Sequence, residues 1–160
     1  MIYFKADDFW NYICKTFKWF NPTHVYISTY NIRTSIINYN DRFGKPIPGL
    51  PSKMNNSQKI VNYLNQCNSY IIIGEDNGYN RESKRIKSIW PNVKVYLKKE
   101  HHAKAVVMKF SDKRIEAWVG SVNLSDSRWS DIMVKLESKE DIKSLLVNMS
   151  EWKKQSQRLK

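Results

Sequence analysis

Apolar residues recur at two spacings along this chain, and the switch between them marks out alternating helices and strands. Phe9, Tyr12, Ile13, Phe17 and Phe20 fall on one helix face. Asp7 and Asp8 stand before them, where they cap and favour a helix start, and Asn21-Pro22 ends the run. Residues 25–29, Val-Tyr-Ile-Ser-Thr, are short and β-rich, hence a strand. Residues 32–54 carry Gly44, Pro46, Pro48, Gly49 and Pro51, too long for a turn, so this stretch reads as a functional loop or as partly helical near 34–37. Ser57 opens a helix bearing Ile60, Val61, Tyr63 and Leu64. Residues 70–74 form a continuous apolar run, as in a strand buried on both faces. After the polar turn 75–78 comes a basic helix over about 81–89, closed before Pro91, and then a strand at 93–97.

Two further strands, about 102–110 and 114–122, flank Ser111-Asp112-Lys113 and read as a hairpin. A strand at 131–136 and an amphipathic helix carrying Ile142, Leu145, Leu146, Met149 and Trp152 close the chain, leaving a basic tail that reads as solvated. The alternation predicts an α/β fold: one mixed β-sheet flanked by helices, in a single domain spanning 1–160. No repeat, low-complexity tract or linker divides it.

Charge changes the picture more than composition does. Hydrophobic residues at 41% and charged residues at 26% are ordinary, but 27 Lys and Arg face 15 Asp and Glu, a net +12. That excess favours polyanions, nucleic acid first, against the blander reading of a well-solvated basic surface. Cys14 and Cys67 form no CxxC pair and suggest neither zinc nor a disulfide framework. With no signal-peptide pattern at the start and no apolar run long enough to span a bilayer, the expected setting is the cytoplasm, away from membranes.

The chemistry concentrates in His102-x-Lys104 and Gly120-Ser121-x-Asn123. On a strand, His102 and Lys104 project to one side, and Val106, Met108 and Phe110 continue that face. Ser121 and Asn123 are expected to share the face of Ile115, Ala117 and Val119, and a hairpin brings all four polar groups to one end of the sheet. Each has a plainer reading. His102 serves as an ordinary strand histidine, Lys104 as a solvated charge and Asn123 as a turn cap, while Gly120 merely relieves crowding. His101 points the other way and reads as structural or surface. His24 likewise carries no role. The tryptophans at 90, 118 and 152 read as core.

Together these two motifs resemble the signature of the phospholipase D superfamily, and more narrowly its small nucleases with a single HxK. The likeness is strongest over about residues 100–125 and runs in order through the strands and helices on either side. It implies a phospholipase D-like fold and metal-independent cleavage of nucleic acid, with no cofactor, through a phosphohistidine formed on His102. Lys104 and Asn123 would steady the phosphate oxygens, and Ser121 would support the histidine or a phosphate oxygen. The family takes its leaving-group proton from a second HxK histidine. This chain has one HxK, so the resemblance implies a homodimer with one composite site.

One departure stands out. Most members carry an acid five positions after the lysine, and Lys109 stands there; the tyrosyl-DNA phosphodiesterase branch also lacks it. Asp131 is the candidate for the acid many members carry beyond GSxN. Arg33, Arg81, Lys84 and Arg85 are the expected phosphate contacts, and Trp129 is the stacking candidate. The competing reading is a nucleic-acid-binding protein with a decayed active site. A lipid phosphodiesterase is the third.

Overall fold

The computed structural model describes residues 1–33, 56–74, 79–125 and 130–160; within these, the side chains of Arg33, residues 79–82, Ser125 and Ser130 are not described. The expected helix near 34–37, the turn 75–78 and Trp129 lie outside the described residues. Ten strands and four helices are present among them: β1 (Ile2–Lys5), α1 (Ala6–Phe20), β2 (His24–Thr29), β3 (Ile32–Arg33), α2 (Asn56–Leu64), β4 (Asn68–Gly74), α3 (Tyr79–Ile89), β5 (Lys94–Lys98), β6 (Lys104–Lys109), β7 (Ile115–Gly120), β8 (Leu124–Ser125), β9 (Ser130–Lys135), α4 (Lys139–Lys154) and β10 (Gln157–Arg158).

Eight strands form one sheet in the order β1-β9-β7-β6-β2-β4-β5-β10, and β3 pairs separately with β8. β2, β4 and β5 run parallel, whereas β6, β7, β9 and β1 continue antiparallel from β2. The fold is mixed α/β, as the pattern predicts. One sheet face buries Ile27, Ile71, Val95, Val106, Met108, Trp118 and Met133 with Phe9, Trp10, Ile13 and Phe17 of α1 and Ile60 and Leu64 of α2. The other buries Tyr70, Ile72, Ala105, Val107 and Ala117 beneath Leu145 and Met149 of α4. The apolar run 70–74 is therefore covered on both sides.

Details at the ends correct the sequence reading. Asp7 and Asp8 do not cap α1: Lys5 holds the cap position without a side-chain bond, and the two acids sit inside the first turn, where the helix dipole favours them. Asn21 closes α1 in the left-handed conformation (φ 42°), its N–H bonded to Phe17 O. Ser138 caps α4 by accepting from Asp141 N. The tail is not simply solvated, since Gln157–Arg158 pairs with β5 as an edge strand. No helix among the described residues is long and apolar enough to cross a membrane.

The hairpin turns at Ser111-Asp112-Lys113 as expected, with Lys113 at φ 67°. Nearby, buried Glu116 is fully engaged by Arg114 Nη1 (2.9 Å), Lys135 Nζ (3.6 Å) and the Tyr12 hydroxyl (2.7 Å). Burial and that carboxylate push the Tyr12 hydroxyl up to about 12. This is a satisfied structural acid, away from the strand ends that carry the motifs.

Candidate active site

Pairing of β6 with β7 sets Lys104 opposite Gly120 and Val106 opposite Trp118, so Lys104 lies on the α1 side of the sheet. Ile115, Ala117 and Val119 lie on the α4 side. Simple alternation would therefore carry Ser121 and Asn123 to the face away from Lys104, so a shared face does not bring these groups together. The site forms because β7 ends at Gly120 and the chain turns. Ser121 N still pairs with Ile132 O (2.8 Å), but the Trp10 indole N–H on α1 then captures Asn123 O (3.0 Å). Val122 and Leu124 follow into the α1-side core.

Gly120 is what lets β9 come this close. A Cβ at this position would stand 1.9 Å from Ile132 O. The contact places Asp131 beside Ser121: Ser121 Oγ donates to Asp131 Oδ1 (2.9 Å) and accepts from Ile132 N (3.0 Å). The Asp131 carboxylate also acts on Lys104, partly offsetting the burial that lowers the ammonium's pKa.

Asn123 is held by its carboxamide oxygen. Oδ1 accepts from Tyr30 N (3.2 Å) and Asn31 N (3.2 Å), with Thr29 Oγ1 at 3.3 Å. The Thr29 hydroxyl proton has a nearer acceptor, Asn31 O at 2.6 Å, while its oxygen receives Leu124 N (3.0 Å). Two main-chain donors on one atom fix the amide's orientation, because only the oxygen can accept them. The carboxamide NH2 makes no hydrogen bond to any described residue. It is a preorganised donor.

His102 is exposed and precedes β6 instead of lying within it. Its imidazole stacks on Tyr30, ring centroids 4.1 Å apart and planes 13° from parallel. Lys104 Nζ lies 5.4 Å from the same ring's centroid. Tyr30 thus touches His102 and Lys104 with its ring and Asn123 with its main chain. Sequence reading missed it. The available signal was its place just past the carboxyl end of a parallel strand, where open α/β sheets gather their ligands.

His101 packs the other way, as expected. Its Nε2 lies 2.6 Å from Ser28 Oγ, which donates to Ala103 O (2.8 Å), and its ring meets Trp152 of α4 edge-on. Burial, then the charges of Lys98, His102 and Lys104, lower its pKa from 6.5 to about 4. The unfolded chain accepts this proton near 6.5 and the folded protein resists it until about 4, so the neutral ring's contribution to stability is lost as pH falls through that window. His101→Gln is expected to flatten this part of the decline, read as the urea midpoint measured from pH 7 to 4.

Lys98, also passed over in the sequence, ends β5 opposite Gly74 and so adds positive charge at this end of the sheet. Of the expected phosphate contacts, Lys84 is exposed on α3 and Arg85 half-buried, with Nη1 turned from solvent. Arg33 belongs to β3 and Arg81 to α3. Lys109 stands five residues beyond Lys104 on β6, hence on the opposite face and about 16 Å along the strand. Its ammonium rests 5.4 Å from the Tyr26 ring centroid.

The sequence matches no protein-family model and no curated protein. Solved structures do match. TrmBL2, an archaeal chromatin protein whose structure shows a novel mode of DNA binding, superposes with a TM-score of 0.59 at 4% identity. That match covers 99% of this chain but 53% of TrmBL2, so the chain spans about half the length of that protein. Nuc from Salmonella typhimurium, a phospholipase D family member, superposes with a TM-score of 0.63 at 11% identity, over 94% of this chain and 90% of Nuc. At such identities the likeness speaks for architecture, and by architecture this chain is phospholipase D-like.

Proposed function

We propose that the chain is a metal-independent phosphodiesterase that cleaves nucleic acid, an endonuclease with little sequence preference, through His102 in a dimeric site. The observation that carries this reading is the Asn123 amide. Its oxygen is locked by the main chain of residues 30 and 31, leaving NH2 to donate, and the ring of the same Tyr30 carries the exposed His102 imidazole and faces Lys104. Such an arrangement suits the non-bridging oxygens of a phosphodiester. A neutral imidazole nitrogen attacks phosphorus, and the bond to the leaving oxygen breaks. Lys104 and Asn123 hold the charge, while Ser121 and Asp131 steady the strand ends and the ammonium. The leaving oxygen takes its proton from the second copy's His102. That imidazole, now neutral, removes a proton from water as the water displaces His102 from phosphorus. The net charge of +12 and the likeness to TrmBL2 favour a nucleic-acid substrate, held by Arg33, Arg81, Lys84, Arg85, Lys98 and Trp129.

The TrmBL2 likeness also favours a second reading, a DNA-binding protein without turnover. Plasmid and RNA incubated in excess EDTA separate the two. Cleavage that survives chelation supports the nuclease; binding without cleavage under all conditions supports the alternative.

The lysine in place of the usual acid is expected to be immaterial. At about 16 Å, beyond a Debye length at physiological salt, its charge is screened from the site. Lys109→Glu should therefore change cleavage less than about threefold in an initial-rate assay. A rise of a hundredfold would instead mean that the natural residue suppresses activity.

A further inference from the structure

We infer that Tyr30 is the positioning residue of the site, setting the plane of the His102 imidazole and its separation from Lys104. The inference rests on the reading of His102 as nucleophile. An exposed histidine ahead of its strand would otherwise turn freely about two side-chain bonds. The near-parallel stack at 4.1 Å removes that freedom. Lys104 is ranged against the same ring, so one aromatic plane spaces the attacking group from the phosphate-binding ammonium.

Tyr30 is itself held by described residues at its main chain and at one ring edge. Its N–H bonds to Asn123 Oδ1. Its carbonyl and the Cδ2 edge of its ring crowd Gly74, where a Cβ would meet them at 2.8 and 2.9 Å. The carbonyl of His101 presses on the same point, at 2.6 Å. The bare end of β4 therefore lets the β2 terminus and the segment leading into His102 meet. Because the tyrosine's bond to Asn123 comes from the main chain, replacing the side chain leaves the amide in place and isolates the ring's effect.

Tyr30→Phe, Tyr30→Leu and Tyr30→Met test this. Stacked imidazole protons feel the tyrosine ring current, so the His102 resonances in the NMR spectrum should lie upfield in the wild type and in Tyr30→Phe. They should return downfield in both aliphatic variants. In the same proteins kcat should hold within about threefold for Phe and fall about 100-fold for Leu and Met, with KM little changed, as expected for misplaced reacting groups. A merely structural tyrosine would lower the folded fraction without separating kcat from KM. Unmoved resonances in the aliphatic variants, or a lost stack with kcat intact, would overturn the inference. A wild type that fails to cleave would sink the nuclease reading alone, and the His102 resonances would still decide whether Tyr30 orients the ring.

Discussion

Replacing His102 with alanine is expected to lower cleavage by about 10⁴-fold or more, the scale seen when a covalent nucleophile is removed. Affinity for the nucleic acid should change little, since phosphate contacts spread over many cations dominate it. The ring is exposed, and its ring contact among the described residues is the stack on Tyr30, so the variant should also keep its stability. A mixing experiment sharpens the result. If each site needs both copies of His102, wild-type subunits work only when paired with one another. A ninefold excess of His102→Ala, after subunit exchange, should then lower the activity of a fixed amount of wild type to about one tenth. Unchanged activity would mean that each chain cleaves alone.

The second large effect is on the fold around the motif. Gly120→Val places a Cβ 1.9 Å from Ile132 O, 2.8 Å from Ile132 C and 2.9 Å from Met133 Cα. All three are main-chain atoms, so no rotamer change relieves the clash and β9 must move. Moving it breaks Ser121 N–H to Ile132 O and the Ser121–Asp131 bond together. The expected cost is about 3 kcal/mol, at the upper end for overpacking. In urea that is a midpoint lowered by about 1 to 2 M. The clash lies in the Cβ itself and not in a left-handed φ, so Gly120→Ala should fail nearly as badly. A well-tolerated alanine would contradict the close β7–β9 contact.

Much of this architecture is legible in the sequence, and the exceptions have physical reasons. The four long helices and strands such as β4 announce themselves because whole faces are buried. β1 does not, since Tyr3 alone turns to the core while Ile2 and Phe4 stay exposed. Two-residue strands such as β3, β8 and β10 depend on main-chain pairing and leave no periodic trace. The motif residues were readable as residues, but the way they meet was not. A tryptophan 113 positions away binds the Asn123 carbonyl, and the amide meets the main chain of residues 30 and 31. Tyr30 enters through the ends of three strands that only the folded sheet brings together. Lys109 departs from the family pattern, and strand alternation turns that position to the face opposite Lys104.

The claim on which the rest depends is a bond between His102 and phosphorus. Mixing the protein with a 5′-labelled oligonucleotide, quenching within the first turnover into alkali and mapping the adduct by mass spectrometry tests it directly. The account predicts a nucleotidyl group on the peptide containing His102, stable in base, released by acid, and missing from His102→Ala. Cleavage that proceeds with no such adduct, or an adduct on another side chain, would contradict it.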